Sequence, residues 1–99
     1  MAEKLTRDAF AETLNTAFQL RRQEQGSIEL ELIDVSELKT TPRQQMYSII
    51  FRGPLDKPFA QGLYPMEHSS FGPFELFLVP VAKEADGMRY QAVFNQLVN

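Results

Sequence analysis

Phe74-Glu75-Leu76-Phe77-Leu78-Val79-Pro80-Val81, a polar passage through Lys83-Glu84-Ala85-Asp86-Gly87, and the return Met88-Arg89-Tyr90-Gln91-Ala92-Val93-Phe94 decide the fold. Two runs rich in apolar, β-branched and aromatic residues flank Asp86-Gly87, residue types that accept positive φ in a tight reversal. The spacing predicts an antiparallel hairpin, 74–81 paired with 88–95. The first run is too short to span a membrane, and Glu75 and Pro80 interrupt it.

Upstream of the hairpin the same extended signal recurs. Residues 63–68 read as a strand placed near a sheet edge, because Pro65 cannot donate to a ladder. Residues 46–52 set Tyr47, Ile49 and Phe51 on one face and Met46, Ser48 and Ile50 on the other. Between these two strands, 55–62 reads as an irregular connection broken by Pro58. Residues 27–35 carry the clearest in/out pattern, with Ile28, Leu30 and Leu32 alternating with Glu29 and Glu31. Its phase shifts after Leu32, which predicts a bulge or bend. Residues 16–22 point Phe18 and Leu20 one way, and 23–27 make a hairpin-type loop. The segment 37–45 reads as a polar loop marked by Thr41-Pro42.

Only the N-terminus has a helical signature, over 6–15. Thr6 is placed to cap it, Asp8 suits its first turn, Leu5 is spaced to staple onto Phe10, and Asn15 is a stop. Phe10 and Leu14 share a face. A helix this short must dock to persist, plugging one end of the sheet structure or covering one of its faces. The expectation is a single domain over 1–99, mainly β: a small antiparallel six-stranded barrel or two-layer sandwich with one short N-terminal helix.

Composition narrows the function classes. A 99-residue chain that is 43% hydrophobic and 23% charged fits one globular domain, and eight Phe and three Tyr supply large side chains for a small core. With no cysteine, the chain has no disulfide, thiol nucleophile or thiolate zinc site. The net charge of −3 and scattered basic residues argue against a nucleic-acid partner. Residues 1–8 mix charges and lead into no apolar run, so the expectation is a cytoplasmic protein without a membrane partner.

Candidate reactive residues are few. His68, the sole histidine, cannot form a multi-histidine metal site, and it reads as a satisfied structural residue near a rim. Its neighbour Glu67 points to the opposite strand face. Ser69 and Ser70 lack a nucleophile elbow, Asp34 and Glu37 lack calcium-loop spacing, and the glycines are too dispersed to cradle phosphate. Arg52 reads as an ion-pair former at a strand end. The expectation is no enzyme, no cofactor and no metal.

One feature asks for a cover. If Leu76, Leu78, Ile49 and Phe51 face inward, then Ile50, Phe77, Val79 and Val93 form a second apolar face. The helix, a partner chain, or the helix over part and a partner over the rest covers it.

Phe51-Arg52-Gly53-Pro54, Gln61-Gly62-Leu63-Tyr64 with Glu67-His68, Glu75 to Val81, and Tyr90-Gln91-Ala92-Val93-Phe94-Asn95 resemble one group of proteins. It is a family of small bacterial domain proteins of unknown function sharing FRGP, QG-x-Y-x-x-EH, ELFLVPV and Y-x-AVFN segments. The resemblance implies a bacterial source, a stand-alone β domain and a tilt toward phage-tail-like assemblies. It implies no catalytic residue. The functional expectation is therefore a non-enzymatic interaction or assembly module with a protein partner or self-association. The alternative is a small-ligand binder or enzyme with a pocket at a barrel mouth, using His68, Tyr64, Glu67 or Arg52.

Overall fold

The computed structural model describes residues 6–22 and 26–97. Helix α1 (Arg7–Glu12) is followed by β1 (Ala17–Arg22), β2 (Gly26–Val35), β3 (Lys39–Thr40), β4 (Gln44–Gly53), β5 (Gly62–His68), β6 (Gly72–Glu84) and β7 (Gly87–Leu97). The sheet runs β2-β1-β5-β6-β7-β4-β3, and β2 also pairs with β4. That extra pairing closes a six-stranded antiparallel barrel, with β3 a two-residue flap on β4. Of the barrel and the sandwich, the barrel forms. No helix among the described residues is long and apolar enough to cross a membrane.

The barrel fills with side chains because the strands alternate. Phe18, Leu20, Leu30, Leu32, Ile49, Phe51, Leu78 and Tyr90 are fully buried, each contributing roughly 1.5–3 kcal/mol by leaving water. The phase shift in β2 appears as a register break between Leu32 and Asp34 opposite β4. It falls where Leu32 also serves the segment before β1: its carbonyl accepts from Asn15 N–H at 2.7 Å and its N–H donates to Thr16 O at 3.1 Å.

The helix is shorter than the spacing suggests. Thr6 caps it, accepting from Ala9 N–H at 3.1 Å, and Asp8 lies in its first turn. It stops at Glu12 because Thr13 and Asn15 turn the chain, Asn15 at a φ of +67°. The expected staple from Leu5 and most of the loop after Arg22 lie outside the described residues. Phe10 enters the barrel end, its ring 5.2 Å from Phe71, 5.5 Å from Phe94 and 6.3 Å from Phe18. So α1 plugs an end rather than lying over the outer face. At the opposite end Phe59, from the irregular connection, stacks on Tyr90 with ring centroids 3.9 Å apart and donates its N–H to Tyr90 Oη.

Two strand expectations need correction. β5 is not an edge, since it pairs with β6 along its length and with β1 at Met66 and Glu67. The β1 ladder ends at Met66, so Pro65 sits just beyond it and no ladder donor is missed there. β6 does not pair with β7 throughout. Gly72 to Leu78 pair with β5, and only Val79 to Glu84 pair with β7, with a register break between Pro80 and Ala82. The reversal itself is one step earlier than expected: Ala85 and Asp86 form the turn and Gly87 opposes Glu84, at a φ of 148°. A third difference is β3, inside the segment read as loop, where Lys39 and Thr40 pair with Met46 and Gln45.

Candidate functional site

The outer face of the β5–β6–β7–β4 wall follows from the same alternation that fills the core. Phe77 stands opposite Leu63 across β5 and β6. Val79 pairs with Gln91, and Gln91 with Ile50, so these three form one row across β6, β7 and β4. Val93, two residues further along β7, opposes Ser48. Leu63, Phe77 and Val93 are 61%, 52% and 56% exposed, whereas Ile50 and Val79 are half-buried. Leu63 completes this strip; the sequence does not mark it, because β5 alternates too few apolar residues around Pro65 to show which face is outward. A shallow cleft of about 200 Å³ adjoins it, lined by Ser36, Lys39, Met46, Ser48, Gln91 and Val93, with Tyr47.

His68 lies elsewhere, at the plugged end. It is buried, with Phe18 4.2 Å from its ring centroid. Its Nδ1 accepts from Ser70 N–H at 2.9 Å, which leaves Nε2 as the protonated nitrogen facing Thr16 Oγ1 at 3.0 Å. The Thr16 hydroxyl in turn donates to Thr13 O at 2.6 Å. Burial pushes the His68 pKa below its ordinary value. Both nitrogens are thus engaged by the fold.

The other candidates disperse. Glu67 forms an ion pair with Arg21 on β1. Tyr64 donates its hydroxyl to Ala60 O and packs edge-on against Phe59. Ser69 and Ser70 lie in the turn after β5, and Asp34 and Glu37 are exposed. Arg52 pairs with Glu31 on β2 and, at 3.3 Å, with Asp86, which also binds Arg89 at 2.8 Å. This cluster borders a cleft of about 400 Å³ that also includes Lys57 and Asp56. A larger cleft of about 500 Å³ runs between the start of α1 and the far ends of β4 and β7, over Tyr47 and Phe94. Burial pushes the Tyr47 phenol up to about 12, so it stays protonated at neutral pH. Of these three clefts only the charged one reaches a sequence candidate for ligand chemistry, Arg52, and none touches His68, Tyr64 or Glu67. Among the described residues, no three His, Cys, Asp or Glu side chains gather as a metal site.

Comparison with known proteins places the chain in one family. Residues 5–94 match the family described as Domain of unknown function (DUF6916). No curated protein and no solved structure matches the chain.

Proposed function

The chain belongs to this family of unassigned function, and on that footing we propose that it is a non-enzymatic protein-interaction module that docks through the outer face of the β5–β6–β7–β4 wall. One observation carries the reading: Leu63, Phe77 and Val93 point outward and each exposes more than half its surface. Contiguous apolar side chains on an outer face are a feature of interaction surfaces, and Leu63 and Phe77 stand directly opposite each other there. The engagement of both His68 nitrogens favours docking over a ligand pocket at the plugged mouth. The acidic balance favours a protein partner over nucleic acid. The proposed setting is the cytoplasm, where a module of this size serves as a component of a larger assembly, a phage-tail-like one included.

A photo-reactive benzophenone amino acid tests the face directly. Placed at position 77 in cells that make the protein, it should yield a discrete protein adduct. The same group at exposed Glu29, on β2, should yield none. Equal adduct patterns from both positions, or none from position 77, would overturn the reading.

A further inference from the structure

We propose that the end of β7, Val93 to Leu97, pairs antiparallel with the same edge of a second copy of this chain, Asn95 set against Asn95. The proposal rests on the interaction-module reading and names its partner.

The edge is open because β6 leaves it. The β6–β7 ladder ends at the pair Val79–Gln91, and from Leu78 backward β6 pairs with β5 instead. β7 continues to Leu97 with β4 on its other side, residue for residue from Ala92–Ile49 to Leu97–Gln44. Asn95, Gln96 and Leu97 are exposed. The described residues therefore leave one side of this strand end without a ladder.

The residues of the edge itself carry no guard, and the start of α1 borders it across a cleft without pairing with it among the described residues. Natural sheets guard a free edge with charge, proline, a bulge, brevity or a covering helix or loop. Gln91-Ala92-Val93-Phe94-Asn95-Gln96-Leu97 has no charged residue and no proline, and its register against β4 is unbroken. The flap β3 shows the contrast: it is two residues long and carries Lys39. A strand edge presents alternating N–H and C=O groups, so its fitting occupant is another strand.

The residue order favours a second copy. Antiparallel pairing about a twofold axis at Asn95 sets Val93 of each copy across from Leu97 of the other, on the same outward face. These are two exposed apolar side chains of one strand, Leu97 at 83% and Val93 at 56%. Their mutual burial would remove from water the most exposed of the large apolar side chains described. The two Asn95 amides, between those pairs, can hydrogen-bond to each other.

The absence of native cysteine gives a clean test. In the full chain, Asn95→Cys should form a disulfide-linked dimer under mild oxidation, faster than Glu75→Cys, an exposed control on β6. Sedimentation of the cysteine-free protein should show a concentration-dependent dimer, and Leu97→Lys should shift it to monomer with its circular dichroism unchanged. Cross-linking of Asn95→Cys no faster than the control would overturn the proposal. So would a cysteine-free protein that stays monomeric at every concentration, or a Leu97→Lys dimer as tight as the original. A photo-adduct from position 77 with a different protein, alongside a strict monomer, would sink the self-pairing and leave the interaction module standing.

Discussion

The main-chain N–H of Ser70 points at Nδ1 of His68 from 2.9 Å, so that nitrogen holds no proton while the turn after β5 is in place. A second proton on the ring would set two donors against each other. The elements packed against the ring face it with Phe18, Thr16, Ser70 and Phe71, none of them charged, while Glu67 and Arg21 pair with each other outside. Burial thus lowers the folded pKa below the roughly 6.5 of an unfolded histidine. The unfolded chain then binds a proton that the folded chain refuses. Stability is full above about pH 6.5 and falls as the pH drops below it. Thermal unfolding should show a lower Tm at about pH 5.5 than at about pH 7.5, and His68→Gln should flatten that slope. An unchanged slope in the variant would remove His68 as the cause.

Gly87 and Gly53 predict a second effect, from contact rather than charge. A Cβ on Gly87 would lie 2.6 Å from Gly53 O and 2.8 Å from Arg52 Cγ, at a φ of 148° that L side chains avoid. Gly87→Ala should destabilise by about 1–3 kcal/mol, through backbone strain and displacement of β4. On Gly53 the added carbon would meet Leu30 Cδ2 and Tyr90 Cε2, both at 2.9 Å, inside the core. Gly53→Ala should cost a similar ~1–3 kcal/mol by overpacking. Urea midpoints at unchanged m-value would check both.

These contacts show what sequence reading reaches. The alternation of Ile28, Leu30 and Leu32, its break, and the hairpin composition around Asp86-Gly87 were legible because each is a local period. The β6 change of partner was not, since Leu76 and Leu78 alternate on unbroken while the ladder passes from β5 to β7. Phe59 was missed for the opposite reason: it stands alone between Pro58 and Ala60, where no period marks it as core. The type of His68 could be read, a satisfied structural residue. Its partner Thr16, 52 positions away, could not. The same holds for Arg52, whose ion-pair role shows in its place at a strand end but whose partners come from β2 and the last turn.

Phe10 and Phe77 predict opposite outcomes for the same kind of truncation. Phe10 is fully buried and touches the rings of Phe18, Tyr47, Phe71 and Phe94. Phe10→Ala should therefore cost about 3–5 kcal/mol, a large part of a small domain's stability. Phe77, 52% exposed on the outer face, keeps only about half its surface out of water, against Leu63 across the ladder. Phe77→Ser should cost less, about 0.5–1.5 kcal/mol for the lost cross-strand pair and partial burial, yet weaken any association through that wall. Denaturation of the two variants in parallel separates plug from docking residue. A strong loss of stability in Phe77→Ser would mean that this side chain serves the fold.

Asp86 predicts a titration rather than a stability change. Arg89 Nη2 lies 2.8 Å from one carboxylate oxygen and Arg52 Nη1 3.3 Å from the other. The hydrogen bond from Arg89 is the largest influence, and with the charge of Arg89 and the bond from Arg52 it holds the carboxyl below its ordinary 3.8. Desolvation opposes this and loses. A depressed carboxyl favours the folded state above the unfolded pKa, and that advantage is lost as the pH falls through the folded value. Asp86 is exposed, so solvent screens the stability effect and the carboxyl resonance is the better readout. Its NMR midpoint should lie below 3.8, rise most in Arg89→Ala and rise less in Arg52→Ala. The reverse order would make Arg52, already engaged by Glu31, the principal partner of the turn.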